Sequence, residues 1–217
     1  MLTKIVIIGA SGFGREVLWT LHDCNEKLKR YEILGFIDED ELLNGKSVNG
    51  FPILGGLDWF LTKDAKDVEC VIAISDPKTR KNILNKLEKQ KVSFATIIHP
   101  SVIHSDFVQI GKGTIIQAGC IITVNVKIGN YVHININSTI GHDSILQDFV
   151  TINPGVIVNG NSVIHTGVNV GTGTIMKQMI IIGKWSIIGA GTVLIENVPE
   201  LSMFLGVPGK LKKELEP

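Results

Sequence analysis

The residues whose types and spacing could do chemistry start with His142 and Asp143, which follow Gly141. An imidazole in a cleft, beside a carboxylate that fixes its tautomer and stabilises its cation, is the arrangement of a general base. Neighbours on an extended strand point to opposite faces, so this pairing requires the chain to bend there. A second candidate is Gly9-Ala10-Ser11-Gly12-Phe13-Gly14, which ends an apolar run and is followed by Arg15-Glu16. It reads G-x-x-G-x-G, unlike the G-x-G-x-x-G of dinucleotide folds. The N–H groups of such a turn at a helix start can cradle an anion such as a phosphate. The same turn can also be a tight corner that binds nothing. Asp38 closes the next apolar run, where an acid can accept hydrogen bonds from a ribose or base.

Other reactive residues read as structural. Cys24, Cys70 and Cys120 are odd in number and share no C-x-x-C spacing, against a disulfide framework or a zinc knuckle and in favour of a reducing cytoplasmic setting. His22 reads as a solvated helix residue, and His99 and His104 as caps of the segment that follows. Those two have the five-residue spacing of a histidine zinc site, but its third ligand would fall outside the repeat region, so no metal is expected.

Two kinds of element must hold these groups. From Ile98 the chain divides into blocks of six, and sixteen of the seventeen first positions, Ile98 to Leu194, are apolar, with His104 the exception. Against 44% hydrophobic residues overall that pattern has odds on the order of 10⁻⁵ by chance. Fifth positions such as Cys120, Val126, Ser138 and Ser144 are all small or β-branched. A period of six fits no α-helix and belongs to a parallel β-helix, three walls to a coil of 18 residues. Glycine often follows the apolar position, as at Gly111, Gly129, Gly141, Gly171, Gly183 and Gly189, which suggests corners that tolerate no Cβ. Cys120 falls in an inward slot, which leaves no cysteine for an acyl-enzyme.

Before the repeat, apolar runs at Lys4 to Ile8, Ile33 to Ile37, Cys70 to Ile74 and Phe94 to Ile98 alternate with helical patterns at Phe13 to Asn25 and Pro77 to Gln90. Val17, Leu18 and Leu21 form the inward stripe of the first helix, and Ile83, Leu84 and Leu87 that of the second. This is a small Rossmann-like parallel α/β domain, residues 1–97, followed by the β-helix with a C-terminal tail, residues 98–217. It lacks the second half that a nicotinamide would need. Lys plus Arg and Asp plus Glu number 21 each, so no overall positive field exists for nucleic acid or an anionic membrane. No early apolar run is long enough to serve as a signal peptide or to span a bilayer.

Together the glycine turn, Asp38, the hexapeptide region and Gly141-His142-Asp143 resemble the NeuD/PglD-type sugar O- and N-acetyltransferases. So do Ile97-Ile98-His99-Pro100-Ser101 and the closing Gly206-Val207-Pro208-Gly209-Lys210. The resemblance covers nearly the whole chain and implies a left-handed β-helix and a homotrimer with sites between subunits. It also implies acetyl transfer from acetyl-CoA to an amine of a nucleotide-linked sugar in surface glycan synthesis, or alternatively to a hydroxyl as in sialic acid. By that resemblance His142 is the base and Asp143 its acid partner, Ser11, Gly12, Phe13, Asp38, Glu39 and Ser75 hold the nucleotide sugar, and Asn135 lines the acceptor pocket. Gly160, one coil after His142, offers its N–H to the thioester oxygen, while Thr172 and Ala190 contact the pantetheine through the main chain. Thr151 stands where many relatives have a second histidine, and keeps a hydroxyl for the thioester.

Overall fold

The computed structural model describes residues 2–62 and 65–216, and its contacts divide the chain between Pro100 and Ser101. Residues 98 and 99 belong with the first unit because both are tied to its first helix: Cys24 Sγ donates to Ile98 O at 3.4 Å, and His99 Nε2 lies 2.7 Å from Asp23 Oδ2.

The first unit runs β1 (Thr3–Ile8), α1 (Gly12–Lys27), β2 (Tyr31–Ile37), β3 (Ser47–Val48), β4 (Phe51–Pro52), β5 (Val68–Ile72), α2 (Pro77–Leu87) and β6 (Ser93–Phe94). Four of these strands form one parallel sheet in the order β2-β1-β5-β6. Ile5, Val6, Ile7, Cys70 and Val71 are wholly buried, as a parallel sheet covered on both faces requires. Val17, Leu18 and Leu21 bury the inner stripe of α1 as expected.

Three expectations need correction. In α2 only Leu87 of the expected stripe is fully buried, Ile83 and Leu84 are half-buried, and the other large inward side chain is Arg80. That helix stops at Leu87 and tightens into a 3₁₀ turn, Glu88–Gln90, ended by left-handed Lys91. The run Phe94 to Ile98 is not one strand, because Ser93–Phe94 pairs with β5 while Ile97–Ile98 forms a separate strand. The hairpin β3–β4 was not anticipated, although Asn49-Gly50, with φ of 48° and 84°, is the sequence signal for such a turn.

The second unit is a parallel β-helix of the left-handed hexapeptide type, built of two-residue strands stacked 18 residues apart. One wall stacks Ile116, Ile134, Ile152, Val170 and Ile188. A second stacks Ile122, Ile140, Val158, Met176 and Leu194, and a third Ile128, Leu146, Ile164 and Ile182. All of these are buried, and each contributes about 1.5–3 kcal/mol of apolar transfer. Buried fifth-position hydroxyls serve the coil spacing: Ser144 Oγ donates to Asn159 O and accepts from the Ser162 N–H. After Leu194 a strand at Ser202–Leu205 extends the first wall, and Lys210–Glu214 pairs antiparallel with it.

The corners obey a rule different from the one expected. Every sixth residue from Gly113 to Gly191, fourteen in succession, has φ between 55° and 72°. These are fourth positions, and they include Asn125, Asp143, Asn161 and even Tyr131, Phe149 and Trp185. The glycines after the apolar positions are required for spacing instead. A Cβ on Gly141 would lie 2.6 Å from Gly160 N, and one on Gly111 would lie 2.4 Å from Gly129 O, both on the next coil. Left-handed backbone tolerates Asn and Asp better than bulky residues, so the column of Asn125, Asp143 and Asn161 suits its corner.

Candidate active site

His142 and Asp143 stand at the corner between the wall strands Thr139–Ile140 and Ile145–Leu146. Asp143 is the left-handed residue, with φ of 57°, and supplies the bend that its pairing with His142 requires. His142 Nδ1 lies 2.8 Å from Asp143 Oδ2, and the two side chains are 54% and 46% exposed. A carboxylate only accepts, so Nδ1 carries the proton and Nε2 presents its lone pair. The bond from His142, then that from Asn125, holds the Asp143 carboxyl below its ordinary range, so the acid stays ionised at neutral pH.

Nε2 faces Gly160. A Cβ on that glycine would fall 2.5 Å from Nε2 and 2.6 Å from Cε1, so only glycine leaves room for the ring. Gly160 also accepts from Met179 N–H at its carbonyl, but its own N–H meets no acceptor among the described residues. A base nitrogen and an unused N–H donor thus lie at adjacent coils of one corner. Asp143 also borders an open groove of about 610 Å³ shared with Asp106, Phe107, Gln109, Asn125, Lys127 and Ile145.

The remaining rod residues lie elsewhere on the chain. Asn135, Thr172 and Ala190 follow the strands His133–Ile134, Asn169–Val170 and Ile187–Ile188, so they sit at the preceding corner, one wall away from His142. Thr172 and Ala190 are exposed, and their N–H groups meet no acceptor among the described residues. Asn135 is 4% exposed and donates Nδ2 to Ile152 O at 3.0 Å. Thr151 is 0% exposed, in ladder register between His133 and Asn169. Burial on a wall, away from any corner, keeps its hydroxyl from the His142 site of its own chain. Cys120 is wholly buried, its Sγ 3.1 Å from Asn135 O, and burial pushes its thiol up to about 11.

In the α/β unit the candidate residues collect at the carboxyl ends of the strands, where open α/β sheets bind ligands. Ser11 occupies the N-cap position of α1 without a capping hydrogen bond from its side chain, and the first turn of the helix holds no acid. The glycines of the turn divide by role. A Cβ on Gly14 would overlap Gly9 O, and one on Gly9 would lie 2.9 Å from Ala73 O, so packing explains both. Around Gly12 a Cβ would meet only the Arg15 side-chain end at 4.0 Å, so packing does not explain that glycine. Asp38 already accepts from Ala10 N–H at 2.8 Å and Asp40 N–H at 3.0 Å, which fixes the turn to the end of β2. Glu39 Oε1 accepts from Leu57 N–H at 2.6 Å. Both acids border a cavity of about 400 Å³ with Glu41, Asp58 and Lys86. Ser75 lies in the loop after β5.

That loop depends on a residue the sequence reading passed over. Arg80 is 0% exposed, and its Nη1 donates to Ile74 O at 2.7 Å and Ser75 O at 3.2 Å. Burial pulls its guanidinium down to about 9, opposed by Asp76, and it remains a cation at neutral pH. The spacing of α2 marks position 80 as inward, which was the available signal. Arg80→Met leaves those carbonyls unsatisfied at about 1–3 kcal/mol each. Denaturant unfolding should show a loss of roughly 2–4 kcal/mol. A loss below about 0.5 kcal/mol would show that water or other donors satisfy the loop.

His99 and His104 do not form a metal site: His99 is engaged by Asp23 and His104 is exposed. Among the described residues no group of three His, Cys, Asp or Glu side chains could hold a metal ion. No described helix is long and apolar enough to cross a membrane.

Residues 4–87 match the family model described as the PglD N-terminal domain. The chain is 33% identical over 136 residues to the GDP-perosamine N-acetyltransferase of Escherichia coli O157:H7, a match spanning 62% of this chain and 60% of that enzyme's length. Among solved structures, WeeI from Acinetobacter baumannii AYE is 34% identical, with a TM-score of 0.87 over 96% of this chain and 100% of that one. PerB from Caulobacter crescentus, solved with CoA and GDP-perosamine, is 26% identical, with a TM-score of 0.89 over 98% and 99%.

Proposed function

The chain belongs to the PglD-type family of sugar acetyltransferases, and on that premise we propose that it transfers acetyl from acetyl-CoA to the amine of a nucleotide-linked amino sugar. The observation that carries this reading is the corner itself: a half-exposed imidazole oriented by Asp143, with Nε2 against a glycine whose N–H is unused. The acceptor amine attacks the thioester carbonyl while His142 Nε2 takes its proton. Gly160 N–H donates to the oxygen as it gains charge, a contribution of about 3 kcal/mol when such a donor is well aimed. The carbonyl re-forms as the C–S bond breaks, and the CoA thiolate takes the proton held by the His142 imidazolium, which restores the base. Transfer is direct within a ternary complex, since buried Cys120 cannot serve as an acyl carrier.

The α/β unit holds the nucleotide through the Ser11–Phe13 turn, Asp38, Glu39 and Ser75. A GDP-linked sugar, as in the perosamine enzymes, suits the acidic cavity beside Asp38 best. Guanine presents neighbouring N1–H and N2–H donors, and carboxylates only accept.

The working form is a homotrimer. His142 and Gly160 lie at one corner, and Asn135, Thr172 and Ala190 at another, so a second copy must bring its corner to complete the site. The wall between these corners carries Ile103, Ile121, Ile157 and Ile175, which are 39–64% exposed in one column. Such a face calls for a partner. Free cysteines fit a cytoplasmic enzyme of surface polysaccharide synthesis.

Mass spectrometry of products from acetyl-CoA with GDP-, UDP- and dTDP-linked amino sugars tests this. One acetyl group should appear on the amine, fastest with the GDP sugar. Acetylation confined to a hydroxyl would replace the reading with O-acetyl transfer, and no CoA release with any acceptor would end it.

A further inference from the structure

Asp143 has two oxygens, and His142 uses one. The other, Oδ1, is 3.0 Å from Asn125 Nδ2. Because a carboxylate cannot donate, the Asn125 amide must present its NH₂ group, so the contact is a hydrogen bond from Asn125 to Asp143. Asn125 sits 18 residues earlier, one coil below in the same corner column, with φ of 58° against 57° for Asp143. The two backbones are therefore superposed turns, and the amide meets the carboxylate from a fixed base. Asp143 N–H donates to Val124 O at 3.0 Å, which ties the two turns together directly before Asn125.

We infer that Asn125 is a positioning residue for acetyl transfer, the third member of an Asn125–Asp143–His142 chain that fixes the carboxylate, and through it the imidazole, in the reactive orientation. The inference rests on the proposed role of His142 as base. An exposed aspartate held only by its imidazole partner turns freely about its own side-chain bonds. With the second oxygen pinned, rotation would break two hydrogen bonds at once. The donation also spreads the negative charge of Asp143, which keeps the carboxylate from binding a proton in competition with its role. The other charged groups facing this groove are Asp106 and Lys127; neither is bonded to Asp143, so removing the amide changes the field at the dyad through Asp143 alone.

Asn125→Gly is the informative variant, because glycine accepts the left-handed backbone and removes only the amide. The expected result is a fall in kcat of about 3–10-fold, with KM for acetyl-CoA and for the amino sugar within about twofold. The acid limb of kcat/KM should also move to higher pH by about 0.3–0.5 units, since a less satisfied carboxylate favours protonated forms of the dyad. The melting temperature should match the parent. Unchanged kcat and an unmoved limb, with His142→Ala inactive, would overturn the positioning role while leaving the function reading intact. A raised KM at constant kcat would overturn it too, by making Asn125 a direct substrate contact. Full activity of His142→Ala would remove both.

Discussion

Replacing His142 by alanine should lower kcat by about 10²–10⁴-fold, the contribution of a well-placed general base, while acetyl-CoA binding measured by calorimetry stays within a few-fold. The ring is half-exposed and borders Gly160 and Asp143, so the melting temperature should hardly change. A loss smaller than tenfold would mean that the amine is deprotonated before it attacks, and the imidazole would lose its role. Steady-state kinetics across pH separate the cases. If free amine is the reactive species in the variant, its residual rate should climb with pH in parallel with amine deprotonation.

Gly160→Ala should be nearly as damaging for a different reason. The new methyl carbon would sit 2.5 Å from Nε2, a separation that non-bonded atoms do not tolerate, so the imidazole must swing out of line. The methyl also narrows the approach to the Gly160 N–H. Loss of a single oxyanion donor costs about 10²–10³ in kcat, so the variant should lose at least about 10²-fold. Stability should be kept or slightly raised, because Gly160 is absent from the positive-φ positions and alanine there restricts only the unfolded chain. Circular dichroism melting alongside turnover gives the check. Retention of kcat within threefold would show that neither Nε2 nor this N–H acts where it stands. A collapse of the melting temperature would show instead that the coils cannot part to admit a methyl.

Much of this was legible in the chain before any coordinates. The six-residue beat located the buried stacks from Ile116 to Leu194, because side chains that fill a narrow prism must recur at one place on each wall. The first coil departs from it, since His104 holds an inward position and is exposed, and Ile98 and Ile110 are only half-buried. The 18-residue coil, counted on the same beat, placed Gly160 over His142 and could equally have found Asn125 below Asp143. Arg80 was hidden because a charged side chain on a helix normally reads as solvated, and only the carbonyls of Ile74 and Ser75 show why it turns inward.

What the sequence by itself determined was periodicity: which residues face inward, which stack, and that a histidine and an acid share one bend. Tertiary structure alone decided which of those neighbours meet. Left-handed corners fall at the fourth position of the blocks from Gly113 to Gly191, so Asp143 turns back onto His142 while Asn125 turns onto Asp143. Asn135 and Thr151, equally polar in the sequence, are buried instead, the first at the preceding corner and the second on the wall before it. Period is a property of the chain and survives without contacts, whereas the direction of a side chain at a corner depends on the coils above and below it.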